Sequence, residues 1–123
     1  VKGFTTQCQN GATQFDTTEG KQIYSYLYSF DFAKAICQVL GTKGKSGVYN
    51  LSQPDSCYSN IEILTKIKEY LHSKIQINFG AVPYAPKQVM YMDGDVTSFE
   101  SAFGKIPYTN FDIALHHTID SLE

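Results

Sequence analysis

The sequence has 123 residues, of which 42% are hydrophobic, so it can bury the core of one folded domain. Its ten basic residues are all lysine and its formal net charge is −2, which argues against a nucleic-acid-binding face. No apolar run approaches the roughly 20 residues of a membrane-spanning helix, and no secretory leader opens the chain, so we expect a cytoplasmic protein with no membrane partner. Because the chain begins at Val1 rather than methionine, we expect a fragment or a processed product.

The first half of the sequence predicts two helices and two short strands. Residues 1–8 are typical of a helix end closed by Asn10-Gly11, and residues 13–17 alternate weakly like a strand. Residues 23–28 alternate more strongly, with tyrosines on one face. A helix is predicted from Phe30 to the glycine at position 41. Its apolar positions, predicted to face the core, are Phe32, Ala33, Ile36, Val39 and Leu40.

The second half of the sequence is richer in helix. Residues 48–51 form a short apolar run that is typical of a buried strand. Ser59 and Glu62 have the spacing of a capping box, which marks the start of the clearest helix. The remaining predicted elements are this helix over 59–71, a strand over 75–79, an irregular segment over 82–86, and helices over 97–104 and 109–122. The order predicts a mixed α/β fold in a single domain, residues 1–123.

The cysteine pattern favours a reducing compartment. Cys8, Cys37 and Cys57 form an odd set without a C-x-x-C pair, whereas a secreted domain usually carries an even, framework-like set. Cys37 lies on the apolar side of a predicted helix, where a buried thiol behaves as a small hydrophobe. No pair of candidate ligands has the spacing of a zinc site, so no metal is expected.

Two short motifs imitate known catalytic or binding sites. Gly44-Lys45-Ser46 resembles the end of a phosphate-binding loop, but the position of the required earlier glycine is Val39, inside a helix. Tyr70 and Lys74 have the spacing of the tyrosine–lysine pair of short-chain dehydrogenases, but Lys74 lies beyond the predicted helix end. No G-x-G-x-x-G follows a predicted strand, so no dinucleotide-binding fingerprint is present.

Residues 18–36, TEGKQIYSYLYSFDFAKAI, resemble a segment of the extended short-chain dehydrogenases. In these NAD-dependent nucleotide-sugar epimerases and dehydratases the pattern is G-x-Q-x-R-D-[FY]-x-[YH]-V-x-D-x-A-x-A. The matching positions are Gly20, Gln22, Tyr26, Tyr28, Asp31, Ala33 and Ala35.

Further segments resemble later motifs of the same family, in the same order and at similar spacing. They are residues 47–51, 59–64, 82–90, 95–104 and 109–119, of which 82–90 resembles the deoxysugar-nucleotide branch. Together the motifs cover nearly the whole chain. The resemblance implies a mixed α+β carboxy-terminal lobe, which binds substrate and lacks the Rossmann half.

The resemblance also implies a function. The chain would be the nucleotide-sugar-binding domain of an NAD-dependent epimerase, dehydratase or reductase of deoxysugar-nucleotide biosynthesis. In this family the catalytic residues and the glycine-rich loop lie upstream, so no catalytic residue is expected in residues 1–123. NAD or NADP would be bound by the absent amino-terminal half, and the fragment alone would be inactive and hold no cofactor.

The same resemblance assigns candidate substrate-binding residues. Phe15 would pack against the base, Gln88 would contact the ribose, and Met92 would lie near the sugar pocket. The other residues assigned to the site are Gln22, Tyr24, Tyr84, Ala85 and Lys87.

The sequence departs from the family at residues that matter for binding. Tyr24 and Ala85 stand where the family has two arginines that clamp the diphosphate, and Ser52 replaces a glycine. A planar guanidinium suits a diphosphate because it offers paired donors. Lys21 and Lys87 lie beside the missing arginines, but each would supply only a point charge.

Two alternatives stay open. The protein could be a non-catalytic relative that binds a nucleotide or a protein partner, or a complete small interaction module. A lobe separated from its other half would expose the face that packed against it, so a homodimer is also an expected arrangement. Phe4, Val48 and the tyrosine-rich strand over 23–28 are the candidates for that face.

Overall fold

The structure is a computed structural model in which residues 1–122 are described. Five helices and five short strands form within this range. In chain order they are α1 (Lys2–Gln9), β1 (Gln14–Thr17), β2 (Ile23–Ser25), α2 (Ser29–Gly41), β3 (Cys57–Ser59), α3 (Asn60–Tyr70), β4 (Gln76–Phe79), β5 (Tyr91–Met92), α4 (Thr97–Phe103) and α5 (Phe111–Asp120).

The strands form two small sheets. β1 and β4 pair in parallel, with Phe15 opposite Ile77. β2 lies at the centre of the second sheet, antiparallel to β3 and parallel to β5. Parallel neighbours cannot be joined by a tight turn, so helices lie between them along the chain. The α/β class predicted from the sequence is confirmed.

Two clusters of buried side chains hold these elements together. The larger cluster joins α1, α3 and α5 and contains Phe4, Ile63, Leu64, Ile67, Ile75, Leu115 and Ile119. The smaller cluster joins α2 to α4 and contains Ala35, Phe99 and Ile106. No helix within residues 1–122 has both the length and the apolar character needed to cross a membrane.

The capping box predicted at the start of α3 is confirmed. The Ser59 hydroxyl accepts a hydrogen bond from the Glu62 backbone N–H at 3.2 Å, and the Glu62 carboxylate accepts one from the Ser59 N–H at 2.7 Å. Because these bonds favour the charged carboxylate, they lower the pKa of Glu62. Leu64 and Ile67 are buried, whereas Ile61 is partly exposed.

The buried face predicted for α2 is wrong at Phe32, Ala33, Ile36 and Leu40, whereas Val39 packs against the smaller cluster as predicted. The side chains of Phe32, Ile36 and Leu40 are 50%, 46% and 83% exposed. Cys37 is exposed as well, which corrects the expectation of a buried thiol. The side of α2 that faces the rest of the chain carries Ala35 and the completely buried Asp31.

Long-range hydrogen bonds explain this orientation of α2. The Asp31 carboxylate accepts hydrogen bonds from the Thr109 N–H at 2.7 Å, the Thr109 hydroxyl at 2.9 Å and the Lys34 ammonium at 2.8 Å. Four residues after Lys34, the Gln38 amide donates to the Phe103 carbonyl at 2.7 Å. Periodicity alone places apolar side chains inward, but these polar contacts hold the other face of the helix against the domain.

Three further expectations are corrected. Residues 48–51 form no strand within the described chain, and the Val48 side chain is 99% exposed because no neighbouring strand pairs with it there. Phe4, expected on an exposed face, is only 2% exposed. Its ring meets the edge of Phe15 at a centroid distance of 4.8 Å. The strand predicted over 23–28 ends at Ser25.

Candidate functional site

Three parts of the chain meet at one place: β2, β5 and residues 80–90, hereafter the 80–90 loop. The Ile23 N–H donates to the Met90 carbonyl at 2.8 Å, and Tyr24 lies opposite Met92 in the parallel ladder. At the start of the loop, the Val82 N–H donates to the carbonyl of Thr17, the last residue of β1, at 3.1 Å. The loop is thus held at both ends. The predicted site residues in these three parts are Tyr24, Tyr84, Ala85, Lys87, Gln88 and Met92, and Gln22 directly precedes β2.

Tyr24 and Gln88 form a closed polar pair. The Gln88 amide donates to the Tyr24 phenol oxygen at 2.6 Å, and the Tyr24 hydroxyl donates to the Val89 carbonyl at 2.7 Å. Tyr24 therefore ties β2 to the 80–90 loop instead of presenting a free donor. Tyr24, which stands at the position of the first missing arginine, thus stabilises the conformation of the 80–90 loop.

Tyr84 fixes the loop at a second point, and Lys21 is already paired. The phenol oxygen of Tyr84 accepts a hydrogen bond from the Lys21 backbone N–H at 2.9 Å. The Lys21 ammonium contacts the Glu19 carboxylate at 2.6 Å, and this hydrogen bond raises the pKa of Lys21. Lys21 stays positively charged, but part of its charge is offset by Glu19.

Ala85 and Lys87 lie on an exposed turn at the tip of the loop. The Gln88 N–H donates to the Ala85 carbonyl at 3.0 Å and closes a four-residue turn. Pro86 occupies its second position, and Lys87 has φ of 62° at the third, as in a type II turn. That position usually takes glycine or asparagine, so the backbone of Lys87 is strained.

Substitutions at Lys87 should separate backbone strain from charge. Lys87→Val is expected to lower the free energy of unfolding by about 1 kcal/mol, because a β-branched residue tolerates positive φ poorly. Lys87→Gly should leave the free energy of unfolding unchanged or slightly higher, because glycine adopts this conformation freely. Urea unfolding of the two variants measures both effects.

Lys105 provides the matched control for that experiment. It is also an exposed lysine outside any helix or strand, but it does not have a positive φ. There, glycine should destabilise more than valine. The same order of stabilities at Lys87 and Lys105 would contradict the strained turn.

Gln22 is buried rather than exposed to a ligand. Only 7% of its surface is accessible, and its backbone carbonyl accepts a hydrogen bond from the Asn60 N–H at 3.2 Å. Its Oε1 has no hydrogen-bond partner among the described residues. Gln22 thus supports the junction of β2 with α3, and its predicted contact with substrate stays a prediction.

Phe15 and Met92 lie in different cavities. Phe15 lines a cavity of about 280 Å³, whose lining also includes Phe4 of α1 and Ile63 of α3. Met92 is exposed and lines a second cavity, of about 320 Å³.

The second cavity contains Ser25, which the sequence analysis missed, and Ser52, which it named only as a departure from the family. Ser25 and Ser52 line it, and their hydroxyl oxygens lie 2.6 Å apart. In the family pattern, aspartate stands at the position of Ser25 and glycine at the position of Ser52. The two positions that depart from the pattern are therefore in contact with each other. Asp93 lines the same cavity beside Met92 and adds a carboxylate acceptor. Only the departures from the family pattern could have pointed to Ser25 and Ser52.

Cys57 lies beside this cavity but is not an activated nucleophile. Burial raises the pKa of its thiol, and the neighbouring Asp93 carboxylate raises it further. A thiol whose pKa is raised stays protonated near neutral pH, and the neutral form is a poor nucleophile. The oxygen acceptors of Ser52 and Asp93 in the second cavity suit ligand hydroxyl groups. Cys57 supplies no activated thiolate beside them.

Solved structures with the same fold act on nucleotide sugars. UDP-glucuronic acid 4-epimerase from Bacillus cereus matches with a TM-score of 0.83 at 16% identity, over 97% of this chain and 38% of the epimerase. UDP-glucose 4-epimerase from Thermotoga maritima matches with a TM-score of 0.81 at 18% identity, over 98% of this chain and 39% of the epimerase. dTDP-glucose 4,6-dehydratase from Bacillus anthracis matches with a TM-score of 0.76 at 20% identity, over 95% of this chain and 36% of the dehydratase.

The chain has the fold of part of a nucleotide-sugar epimerase or dehydratase. It spans about two fifths of the length of the solved structures it matches. The likeness covers their carboxy-terminal region, which agrees with the resemblance seen in the sequence. No protein-family model and no curated protein matches the sequence. At these identities the likeness establishes the fold alone.

Proposed function

We propose that residues 1–123 form the nucleotide-sugar-binding lobe of a larger NAD(P)-dependent epimerase, dehydratase or reductase. The fold carries this proposal, because it matches enzymes named for UDP and dTDP sugars over nearly the whole chain. The 80–90 loop supports it, since Tyr24, Gln88 and Met92, three residues that the resemblance assigns to substrate, lie together where it meets β2 and β5. The chain would be a single carboxy-terminal domain that works with another lobe.

Individual residues would have distinct roles in this lobe. The exposed Lys87 ammonium would meet the diphosphate as a point charge, and Tyr24 and Tyr84 would hold the loop that carries it. The acceptors around the second cavity, Ser52 and Asp93, would take hydrogen bonds from sugar hydroxyls. These are binding roles, and the reacting groups would come from the other lobe.

The described residues do not fit NAD. Its pyrophosphate is usually held by a glycine-rich turn between a strand and a helix N-terminus. Within residues 1–122, the segment 26–28 that joins β2 to α2 contains two tyrosines and no glycine. β3 ends at Ser59, and α3 begins at the next residue, Asn60, so no turn separates them. NAD or NADP would therefore be bound by the other lobe, which supplies hydride transfer.

Calorimetric titration of the chain tests the proposal. UDP-glucose or dTDP-glucose should bind, with weak affinity because the arginine clamp is missing, and binding should weaken as salt rises. Lys87→Ala should reduce the affinity, whereas Lys105→Ala, at an exposed lysine outside the 80–90 loop, should not. Equal affinities for both variants, or no binding of either sugar nucleotide to the natural gene product, would contradict the proposal.

Titration with NAD is expected to give the opposite result. The isolated chain should show no heat of binding at ligand concentrations where sugar nucleotides bind, since the phosphate-binding turn is missing from the described residues. Micromolar affinity for NAD would contradict the division of roles between two lobes.

A non-catalytic relative is the second candidate function. The closed Tyr24–Gln88 pair favours it, because the residue at an arginine position is used to hold the loop and offers no paired donors to a diphosphate. Such a protein would bind a nucleotide or a protein partner without turnover. Absence of any epimerase, dehydratase or reductase activity in the natural gene product, despite sugar-nucleotide binding, would support this candidate.

A further inference from the structure

The second cavity lies where two parallel strands end. Ser25 is the last residue of β2 and Met92 is the last residue of β5, and both line the cavity. Because β2 and β5 are parallel neighbours, their carboxyl ends meet at the same edge of the sheet. That edge is a common place for ligands in α/β folds. The cavity volume of about 320 Å³ falls at the small end of the roughly 300–1,000 Å³ range of ligand pockets.

The lining of the second cavity is part apolar and part polar. Leu27, Leu51 and Met92 supply apolar surface, and two serines and Asp93 supply oxygen atoms. A sugar ring likewise has apolar C–H faces and polar hydroxyl edges. A few placed polar groups in a mostly apolar pocket are what fixes the orientation of a small ligand.

The two serine hydroxyls of the cavity can either donate to a ligand or accept from it. Ser25 and Ser52 have their oxygens 2.6 Å apart. Ser56 donates its own proton to the Tyr26 or Gln53 carbonyl, at 2.8 and 2.7 Å, so it can only accept from Ser25 at 3.3 Å. When Ser25 donates to Ser52, the Ser52 proton is left for a ligand. When the direction is reversed, the Ser52 oxygen can accept from one.

Asp93 gives the second cavity its charge. Among the described residues that line the cavity, Asp93 alone is charged. Its side chain is exposed, and none of the ion pairs within residues 1–122 involves it. The next residue, Gly94, packs closely on Ser52, because a Cβ atom at position 94 would come within 2.9 Å of the Ser52 Cβ. This close approach holds Asp93 beside the serine pair.

Two neighbouring acids show the effect of Asp93 on a second negative charge. Burial and then the Asp93 carboxylate raise the pKa of the Cys57 thiol. Cys57 and Asp93 together raise the pKa of the Tyr91 hydroxyl. In both groups the anionic form is disfavoured beside the carboxylate. A ligand carboxylate in the second cavity would meet the same repulsion.

We propose that Asp93 makes the second cavity selective for the neutral hexose of a nucleotide sugar over a uronic acid. One hydroxyl of a neutral hexose donates to Asp93, and another accepts from Ser52. UDP-glucose and UDP-glucuronic acid differ only at the exocyclic carbon, which is an alcohol in the first and a carboxylate in the second. In a cavity of this size the carboxylate lies near Asp93, cannot donate to it and is repelled by it. The inference rests on the proposed function for the nucleotide part of the ligand.

Calorimetric titration of the natural gene product with UDP-glucose, UDP-glucuronic acid and UDP tests this specificity. UDP-glucose should bind at least about tenfold more tightly than UDP-glucuronic acid. Asp93→Asn keeps the size of the side chain and removes its charge. It should reduce the preference to about threefold or less, chiefly because UDP-glucuronic acid binds more tightly. The matched control, Asp112→Asn, removes the same charge from an exposed aspartate of α5 and should leave the preference unchanged.

Ser52→Ala tests the hydrogen bond on the other side of the cavity. The loss of one neutral hydrogen bond should weaken UDP-glucose binding by about three- to tenfold. The affinity for UDP, which has no sugar beyond the diphosphate, should be the same in Ser52→Ala, Asp93→Asn and wild type. An unchanged UDP affinity shows that the rest of the binding site is intact in both variants.

The outcomes separate this inference from the proposed function. Equal affinities of the wild type for UDP-glucose and UDP-glucuronic acid would overturn the inference and leave the proposed function standing. So would a preference that persists in Asp93→Asn, since Asp93 would then not cause it. UDP-glucose that binds no more tightly than UDP would also overturn it, because the sugar would lie outside the cavity. Absence of any sugar-nucleotide binding would overturn the proposed function and the inference together.

Discussion

Ala85→Arg is expected to tighten the binding of UDP-glucose or dTDP-glucose by about 10- to 100-fold. One charge-assisted hydrogen bond contributes roughly 1.5–3 kcal/mol, which corresponds to one to two decades in affinity. Ala85 is exposed at the first position of the turn that Gln88 closes, so a longer side chain can be accommodated without displacing the core. Calorimetric titration of the natural gene product measures the change.

Two control variants make the result specific to a guanidinium at this position. Ala85→Lys should give a smaller gain, because an ammonium cannot donate in a paired, planar geometry. Ala81→Arg adds the same charge at another exposed position of the 80–90 loop and should change the affinity little. If Ala81→Arg and Ala85→Arg tighten binding equally, the gain comes from general charge, and the diphosphate does not lie at the turn.

Asp31→Ala is expected to lower the free energy of unfolding by about 3 kcal/mol. The Asp31 side chain is fully buried and accepts hydrogen bonds from Thr109 and Lys34, so its removal leaves the partly buried Thr109 N–H and hydroxyl unpaired. It would also loosen α2 from the segment before α5. Urea unfolding at pH 7 measures the change. The control, Asp112→Ala, removes an exposed ion pair with Lys66 and should cost about 0.5 kcal/mol.

The contribution of Asp31 should depend on pH in a defined direction. Burial alone would raise its pKa, but hydrogen bonds from Lys34 and Thr109 outweigh burial and lower it. A carboxyl whose pKa is lower in the folded state stabilises the fold above its unfolded pKa of about 4, and this stabilisation is lost as pH falls through the folded pKa. The difference between wild type and Asp31→Asn should therefore be constant near pH 7 and shrink below about pH 4. A difference that grows on acidification would contradict the ionised, hydrogen-bonded carboxylate.

The sequence predicted the helices better than their orientation. The capping box of Ser59 and Glu62 located α3, because capping is a local interaction between residues three apart. The span of α2 was also predicted, but its buried face was not. Periodicity reports which residues are apolar, whereas the inward face of α2 is decided by contacts of Asp31 and Gln38 with residues more than sixty positions away.

The same limit applies to the candidate site. Resemblance located the residues that the 80–90 loop brings to β2, since they follow a motif with fixed spacing. It could not show that Tyr24 is used to hold the loop, or that Gln22 is buried. The contact between Ser25 and Ser52 joins positions 27 apart in the chain and replaces two residues of the family pattern at once. No single motif contains both.

The parallel pairing of β1 with β4 also affects how the chain is made. Asp16 in β1 and Asn78 in β4 are hydrogen bonded although they are 62 positions apart. During synthesis β1 therefore leaves the ribosome well before its partner exists, by roughly 3–12 s at 5–20 residues per second. For that interval the β1 edge is open, and Phe15 has only α1 to cover it. Nascent chains that pause before β4 should be the ones most in need of a chaperone.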